Sequence, residues 1–291
     1  MNSNPILIVP GEPRSIFFEI FFKSINSQKI RSPIVIICDR RIFNKEIKRF
    51  KFKKKVEELS HKFIDKKKIK SKKIYLVDIP NNYSNTYIQR CFLYAFSLLK
   101  KGFTNKIING PINKTKTLNK KYLGVTEYIS HFFNQKKFAM LIYNKKLSVC
   151  PVTTHLPLKQ VSKKINKKNI QEKIELIHLF YKNYLNKIPR IAILGLNPHC
   201  ESVDKYNEDE KIIKPSVKEM RKKGYKVSGP YPADTIFLKK NRINFDVIVG
   251  MYHDQVLTPI KTLYGFNAIN VTLGLPFLRV TPDHGTNNRM I

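Results

Sequence analysis

Short apolar runs alternate with amphipathic stretches along the first third of the chain. Residues 6–9, 33–38, 73–79 and 106–109 have strand length and strand composition. Between them, helical periodicity extends to about Ser27, through the region of Lys51, and over Tyr87–Lys100. An alternation of this kind predicts a mostly parallel sheet flanked by helices. The rhythm changes after Gly110. Residues 138–143 and 147–153 are strand-like and separated by Asn144, Lys145 and Lys146, a short polar turn that predicts a β-hairpin. A helix over 169–185 precedes a strand over 191–196. A second helical stretch, 209–223, leads through Gly229–Pro230 to a strand over 246–251. The last apolar segment, 268–273, ends in the turn Gly274–Leu275–Pro276. The break near 114–123 and a return near Lys261 predict two α/β domains, residues 1–118 with 262–291, and residues 119–261.

Composition narrows the class. With 291 residues and 42% hydrophobic positions, the chain can bury one large core or two modest ones. It has no uninterrupted apolar run of membrane-spanning length, and no basic segment leads into a leader-length apolar stretch. Cys38, Cys91, Cys150 and Cys200 are scattered without a CxxC pair, as expected of free thiols in a reducing cytoplasm. The formal charge of +34 invites a nucleic-acid reading, because lysines that neutralise phosphates release counterions. Only 11 of the 55 basic residues are arginines, however, and the lysines are spread from end to end among Ile and Asn. This is compositional drift towards a lysine-coated surface, with no specific nucleic-acid or membrane partner. The densest run, 51–73, mixes Lys with Phe, Val, Leu and Ile, and reads as a solvated helix face.

Three histidines share one context. His155, His199 and His253 each follow an apolar, strand-like run where the chain turns. Ligands of open α/β sheets bind outside the carboxyl ends of the strands, so three imidazoles delivered there could converge on one divalent ion. Asp254 and Gln255 could orient the ring of His253 or open the next helix. His61, His131 and His178 lie on apparent helix faces and read as structural or surface residues. A second group suits an anion: Lys261, Asn270 and Arg279 flank the last apolar run, and Thr126 opens a helix. Guanidinium and ammonium together bind phosphate or carboxylate, one as a fork and the other as a point charge. Asp234, in a turn-rich loop, is a metal or histidine partner, or a helix N-cap for the residues after it.

Several motifs carry a resemblance: VPGEP at 9–13, GPINK at 110–114, GVTE at 124–127, TTHLPL at 153–158, GLNPH at 195–199 and GPYPAD at 229–234. The C-terminal block adds YHDQ at 252–255, NVTLGLPFLR at 270–279 and DHGT at 283–286. In this order, over nearly the whole chain, they resemble the 4-hydroxythreonine-4-phosphate dehydrogenase family. The resemblance implies two α/β/α domains around a deep cleft, like isocitrate and isopropylmalate dehydrogenases, and a homodimer with a shared active site. It places the cofactor on the first domain, and the metal and dimer contacts on the second. It implies one divalent ion per subunit (Zn, Mg or Co) on His155, His199 and His253, and substrate contacts at Thr126, Lys261, Asn270 and Arg279. Lys261 and Asp234 take catalytic roles, and Asp283, His284 and Gly285 bind NAD or NADP. The implied reaction oxidises 4-phosphooxy-L-threonine to a 3-keto acid that decarboxylates to 3-amino-2-oxopropyl phosphate, in pyridoxal phosphate biosynthesis.

The chain departs from the family pattern in places. Val125 stands where relatives carry His, which removes a polar substrate contact. Residues 14–19 (RSIFFE) and 200–205 (CESVDK) replace glycine-rich stretches, and the chain stops five residues after Thr286, where relatives continue into a cofactor loop and helix. These departures leave two alternatives open: a paralogous dehydrogenase for another phosphorylated or diol carboxylate, or a degenerate, non-catalytic anion-binding member.

Overall fold

A computed structural model of the chain describes residues 4–61, 64–82, 86–113, 122, 124–201 and 206–285. It divides into two compact units, residues 1–129 with 276–291, and residues 130–275. Both crossings fall later than the 118/119 and 261/262 read from the sequence. The first is delayed because α4 (Val125–Phe132) begins on the first unit, where Tyr128 meets Phe92 edge-on at 6.2 Å. The second is delayed because the strand Ile269–Leu273 still pairs with a strand of the second unit.

The first unit contains β1 (Ile6–Val9), β2 (Ile34–Cys38), β3 (Val56–Leu59), β4 (Ile74–Asp78), β5 (Lys106–Asn109) and β12 (Leu278–Pro282). They run in the order β3-β4-β2-β1-β5-β12, and every pairing is parallel. Strands covered on both faces read as continuous apolar runs rather than alternating ones, and β2 is buried along its whole length. One face packs Ile8, Ile36 and Leu76 against α1 (Phe17–Ser27) and α2 (Arg40–Arg49) through Phe18, Phe22 and Phe43, with Phe52 from the segment after α2 joining them. Phe22 and Phe52 ring centres are 4.6 Å apart. The helix α3 (Tyr87–Lys100) packs against β1 and β2.

Two expectations fail here. The lysine-rich stretch 51–73 is not a helix face. Helix α2 stops at Arg49, Lys51 turns left-handed at φ 50°, and β3 follows as an edge strand. Glu57 and Glu58 of β3 pair with Lys73 at 2.5 Å and Arg40 at 3.2 Å, so the run carries its own neutralising carboxylates. His61 accordingly lies in the exposed loop beyond β3 instead of on a helix. The apolar run through Leu278, too short to declare itself, is the strand β12.

Asp39 follows β2 and caps α2, accepting the N–H groups of Arg41 and Ile42. Burial alone would raise its pKa. The Arg41 side chain and the N–H groups of Asn81, Ile42 and Arg41 outweigh it and bring the carboxyl down to about 2. A depressed carboxyl contributes stability above its unfolded pKa of about 4 that is lost as pH falls towards its folded value. Asp39→Ala is therefore expected to lower stability by about 1–2 kcal/mol at pH 7. The gap to wild type should close as denaturant unfolding is repeated from pH 4 towards pH 2. A gap independent of pH would refute the charged cap.

The second unit contains β6 (Ala139–Tyr143), β7 (Ser148–Thr153), β8 (Ile191–Leu194), β9 (Val227–Tyr231), β10 (Val247–Tyr252) and β11 (Ile269–Leu273). Their order is β11-β6-β7-β10-β8-β9. The expected β6–β7 hairpin is present, β11 joins β6 antiparallel, and β7, β10, β8 and β9 are mutually parallel. Helices α5 (Lys167–Leu185), α6 (Lys214–Lys222) and α7 (His253–Tyr264) accompany them. Asn166 caps α5 by accepting from the Asn169 N–H, and Asn186 closes it in the left-handed conformation. The segment around Gly229–Pro230, read from sequence as loop, is the edge strand β9. Proline lacks a ladder donor and is tolerated at a sheet edge. The four cysteines are free and buried, and burial pushes the Cys91 and Cys150 thiols up to about 12. Among the described residues no helix is long and apolar enough to cross a membrane.

Candidate active site

The second unit brings the three histidine-bearing turns to neighbouring strand ends. His155 lies just past β7, His253 directly follows β10 as the first residue of α7, and His199 lies in the turn after β8. Strands β7, β10 and β8 are adjacent and parallel, so all three turns emerge at one edge of the unit. His155 and His199 adopt φ 54° and 55°, a left-handed conformation that costs a non-glycine residue about 1–2 kcal/mol. Such strain persists where the surroundings over-determine it, and it clusters at functional positions.

The rings of His155 and His253 lie 5.9 Å apart between centres and are tilted by 37°. His253 Nδ1 is 2.6 Å from Asp254 Oδ1. With its proton on Nδ1 donated to the carboxylate, the ring presents Nε2 as a lone-pair donor, the arrangement usual for a ligating histidine. Two imidazoles on one tetrahedral ion have ring centres about 5 Å apart, so this pair is close to a ligating spacing. The donor chemistry therefore suits a divalent ion. Among the described residues, no three or more His, Cys, Asp or Glu side chains are gathered closely enough to form a complete site.

Three side chains tie these strand ends together. Thr153 Oγ1 donates to the Met251 carbonyl at 2.7 Å, joining the ends of β7 and β10. Gln255 accepts from the Met251 N–H at 2.7 Å and donates to the Gly195 carbonyl at 2.8 Å, joining β10 to the turn after β8. Asp209, fully buried, accepts the N–H groups of Leu196 at 2.9 Å and Asn197 at 3.0 Å. Sequence reasoning missed Thr153 and Asp209. The run Asn207–Glu208–Asp209–Glu210 was a signal, because carboxylates are scarce in so basic a chain.

The first unit builds the heart of the anion group. Arg279, on β12 and 2% exposed, donates from Nε to Asn109 Oδ1 at 2.8 Å and from Nη1 to Thr126 Oγ1 at 3.0 Å. Burial pulls its pKa down to about 10, against the pull of the Glu127 carboxylate, so it stays cationic at neutral pH. Asn109, at the end of β5, was not singled out from the sequence. Directly after it, Gly110 approaches the β1 turn so closely that a Cβ there would lie 1.9 Å from the Pro10 carbonyl oxygen. This position tolerates only glycine.

The remaining candidates are dispersed. Asn270 sits on β11 in the second unit, and its buried Oδ1 accepts no hydrogen bond among the described residues. Lys261 lies in the last turn of α7 with its Nζ 4.7 Å above the Phe266 ring. Asp234 is exposed in the first turn of the short helix Ala233–Ile236, which Pro232 precedes. It is therefore not the N-cap that the sequence allowed. Its charge, after burial and Asp209, helps push the Cys200 thiol up, which places it near the His199 turn. Asp283, His284 and Gly285 follow β12, with His284 Nδ1 on the Gly285 carbonyl at 2.8 Å. Residues 202–205 and 286–291 lie outside the described residues.

The family described as pyridoxal phosphate biosynthetic protein PdxA matches residues 29–289. A 4-hydroxythreonine-4-phosphate dehydrogenase from Sulfurihydrogenibium sp. (strain YO3AOP1) is 35% identical over 300 residues, covering 97% of this chain and 90% of the relative. A D-threonate 4-phosphate dehydrogenase from Pectobacterium atrosepticum is 37% identical over 200 residues, 68% of this chain and 61% of the relative. The crystal structure of 4-hydroxythreonine-4-phosphate dehydrogenase from Klebsiella pneumoniae superposes with a TM-score of 0.80 at 30% identity, covering 99% of this chain and 93% of that one.

Proposed function

The chain belongs to the PdxA family, and from that premise we propose that it is a nicotinamide-dependent dehydrogenase whose substrate is 4-phosphooxy-L-threonine. The observation that carries this reading is the delivery of His155, His253 and His199 to the ends of three adjacent parallel strands, with the His253 ring locked by Asp254. His155, His199 and His253 would hold a divalent ion, which when bound supplies Lewis acidity towards the alcohol and later the ketone oxygen. Asp283, His284 and Gly285 would hold NAD or NADP, which when bound would supply the hydride acceptor for the alcohol carbon. The hydroxyl proton leaves to a base, and the resulting 3-keto acid loses carbon dioxide.

The chain's own residues have separable tasks. Arg279, pinned by Asn109 and Thr126, is a preorganised fork for a phosphate or carboxylate. Holding the substrate by such groups fixes the alcohol carbon for hydride transfer. Asn270 Oδ1 is an acceptor suited to a substrate N–H or O–H. Lys261 supplies an ammonium held over the Phe266 ring, as an anion contact or a proton relay. Asp234 is the carboxylate assigned to proton handling beside the His199 turn.

The Pectobacterium relative favours a second reading, oxidation of D-threonate 4-phosphate, which carries a hydroxyl where the first substrate carries an amine. Purified protein incubated with a divalent ion, NAD or NADP, and each substrate should produce NADH or NADPH absorbance with 4-phosphooxy-L-threonine and release carbon dioxide. A clear preference for D-threonate 4-phosphate selects the second reading. Silence with both would sink the dehydrogenase assignment.

A further inference from the structure

We infer that Asp209 is a positioning residue, whose buried carboxylate sets the turn that presents His199. Both of its oxygens are spent on that turn. Oδ1 takes the Leu196 N–H at 2.9 Å, and Oδ2 takes the Asn197 N–H at 3.0 Å and the Asn197 side-chain amide at 2.9 Å. Glu208 Oε2 holds the same amide at 3.1 Å. No Lys or Arg hydrogen-bonds to Asp209 among the described residues. A buried carboxylate without an ion pair is costly unless N–H groups satisfy it, and here the donors all come from this one turn.

The surroundings are shaped for this contact. Asp209 opens a π-helical turn, Asp209–Ile213, and its own N–H is fixed by Asn207 Oδ1 at 2.9 Å. Gly195 leaves room for the carboxylate. A Cβ there would lie 2.7 Å from Asp209 Oδ1 and 2.7 Å from Cys200 Sγ. Just beyond the tethered Leu196–Asn197 peptides, His199 and Cys200 are both left-handed, at φ 55° and 62°. Two successive non-glycine residues in that region need an external constraint, and Asp209 supplies it. From the other side, Gln255 ties the same turn to the start of α7, where His253 sits.

The inference rests on the assignment of His199 as a metal ligand, and the test separates the two. Cobalt(II) chloride alone is titrated into wild type, Asp209→Asn and Asp246→Asn, following the visible ligand-field band. Asp246 is a hydrogen-bonded carboxylate at the opposite end of β10, bound to Arg190 and Lys187, and reports a merely structural loss. In Asp209→Asn an amide NH₂ faces a backbone N–H, so the turn is released. Cobalt affinity should fall about 10–100-fold, the usual effect of losing an outer-sphere partner. Asp246→Asn should lose stability and keep its cobalt affinity. Should Asp209→Asn fail to fold, Asn197→Ala removes one arm of the tether and should weaken cobalt about threefold or more. Turnover should drop with KM for the nicotinamide cofactor unchanged. Wild type that binds no cobalt overturns the metal assignment and this inference with it. Wild type that binds cobalt, with Asp209→Asn or Asn197→Ala binding it equally well, overturns the positioning role alone.

Discussion

His253→Ala is expected to lose the bound divalent ion and to lower turnover about a thousand-fold, equivalent to about 4 kcal/mol of transition-state stabilisation. Its side chain is the best prepared of the three. It opens α7 directly from β10, its Nδ1 is committed to Asp254, and its ring faces His155 across 5.9 Å. Among the described residues no three His, Cys, Asp or Glu side chains are gathered into a complete site, so no neighbour is placed to replace the missing nitrogen. Metal content after dialysis and NADH production are the two measurements, with His61→Ala as the control on an exposed loop. A variant that keeps a stoichiometric ion disproves the ligand role, and one that loses the ion while keeping full turnover disproves its part in catalysis.

Arg279→Lys is expected to lower kcat/KM about a hundred-fold, although it conserves the charge. The guanidinium serves Asn109 and Thr126 from two nitrogens in a fixed plane. An ammonium cannot reproduce that fork and is more strongly hydrated, so it settles poorly where only 2% of the side chain is exposed. Hydrogen bonds to charged groups contribute about 1.5–3 kcal/mol each, and losing one or two accounts for the effect. The loss should fall mainly on KM for the phosphorylated substrate, with weaker competition by inorganic phosphate. Arg279→Met should also lower stability by about 3 kcal/mol, because it removes a buried, hydrogen-bonded guanidinium together with its attraction to the Glu127 carboxylate. An unchanged KM in Arg279→Lys rules out the anion-binding role.

The α/β class was legible because strands buried on both faces, such as β2, declare themselves as unbroken apolar runs. The histidines were legible for a related reason: each closes such a run, and the parallel order β7-β10-β8 was needed only to make them neighbours. What escaped were elements whose residues serve two purposes. β12 carries a buried Arg at its second position, and β9 contains Gly229 and Pro230, so neither reads as a strand. Val56–Leu59 is hidden by two glutamates inside a lysine run. Asp209 and Asn109 escaped because polar residues that hold a loop from within look like surface residues until burial is known.

Because β12 reaches the first unit only after the second has been threaded through, the two units cannot mature in the same order in which they begin. Residues 130–275 form one continuous segment and are complete once the ribosome has passed them. The first unit must wait, with the β5 side that β12 will pair still uncovered and Asn109 lacking its guanidinium partner. An uncovered strand edge is a template for unwanted pairing during that interval. Arg279 thus acts as a late keystone: the strand that completes the first sheet also installs the charge proposed to recognise the substrate.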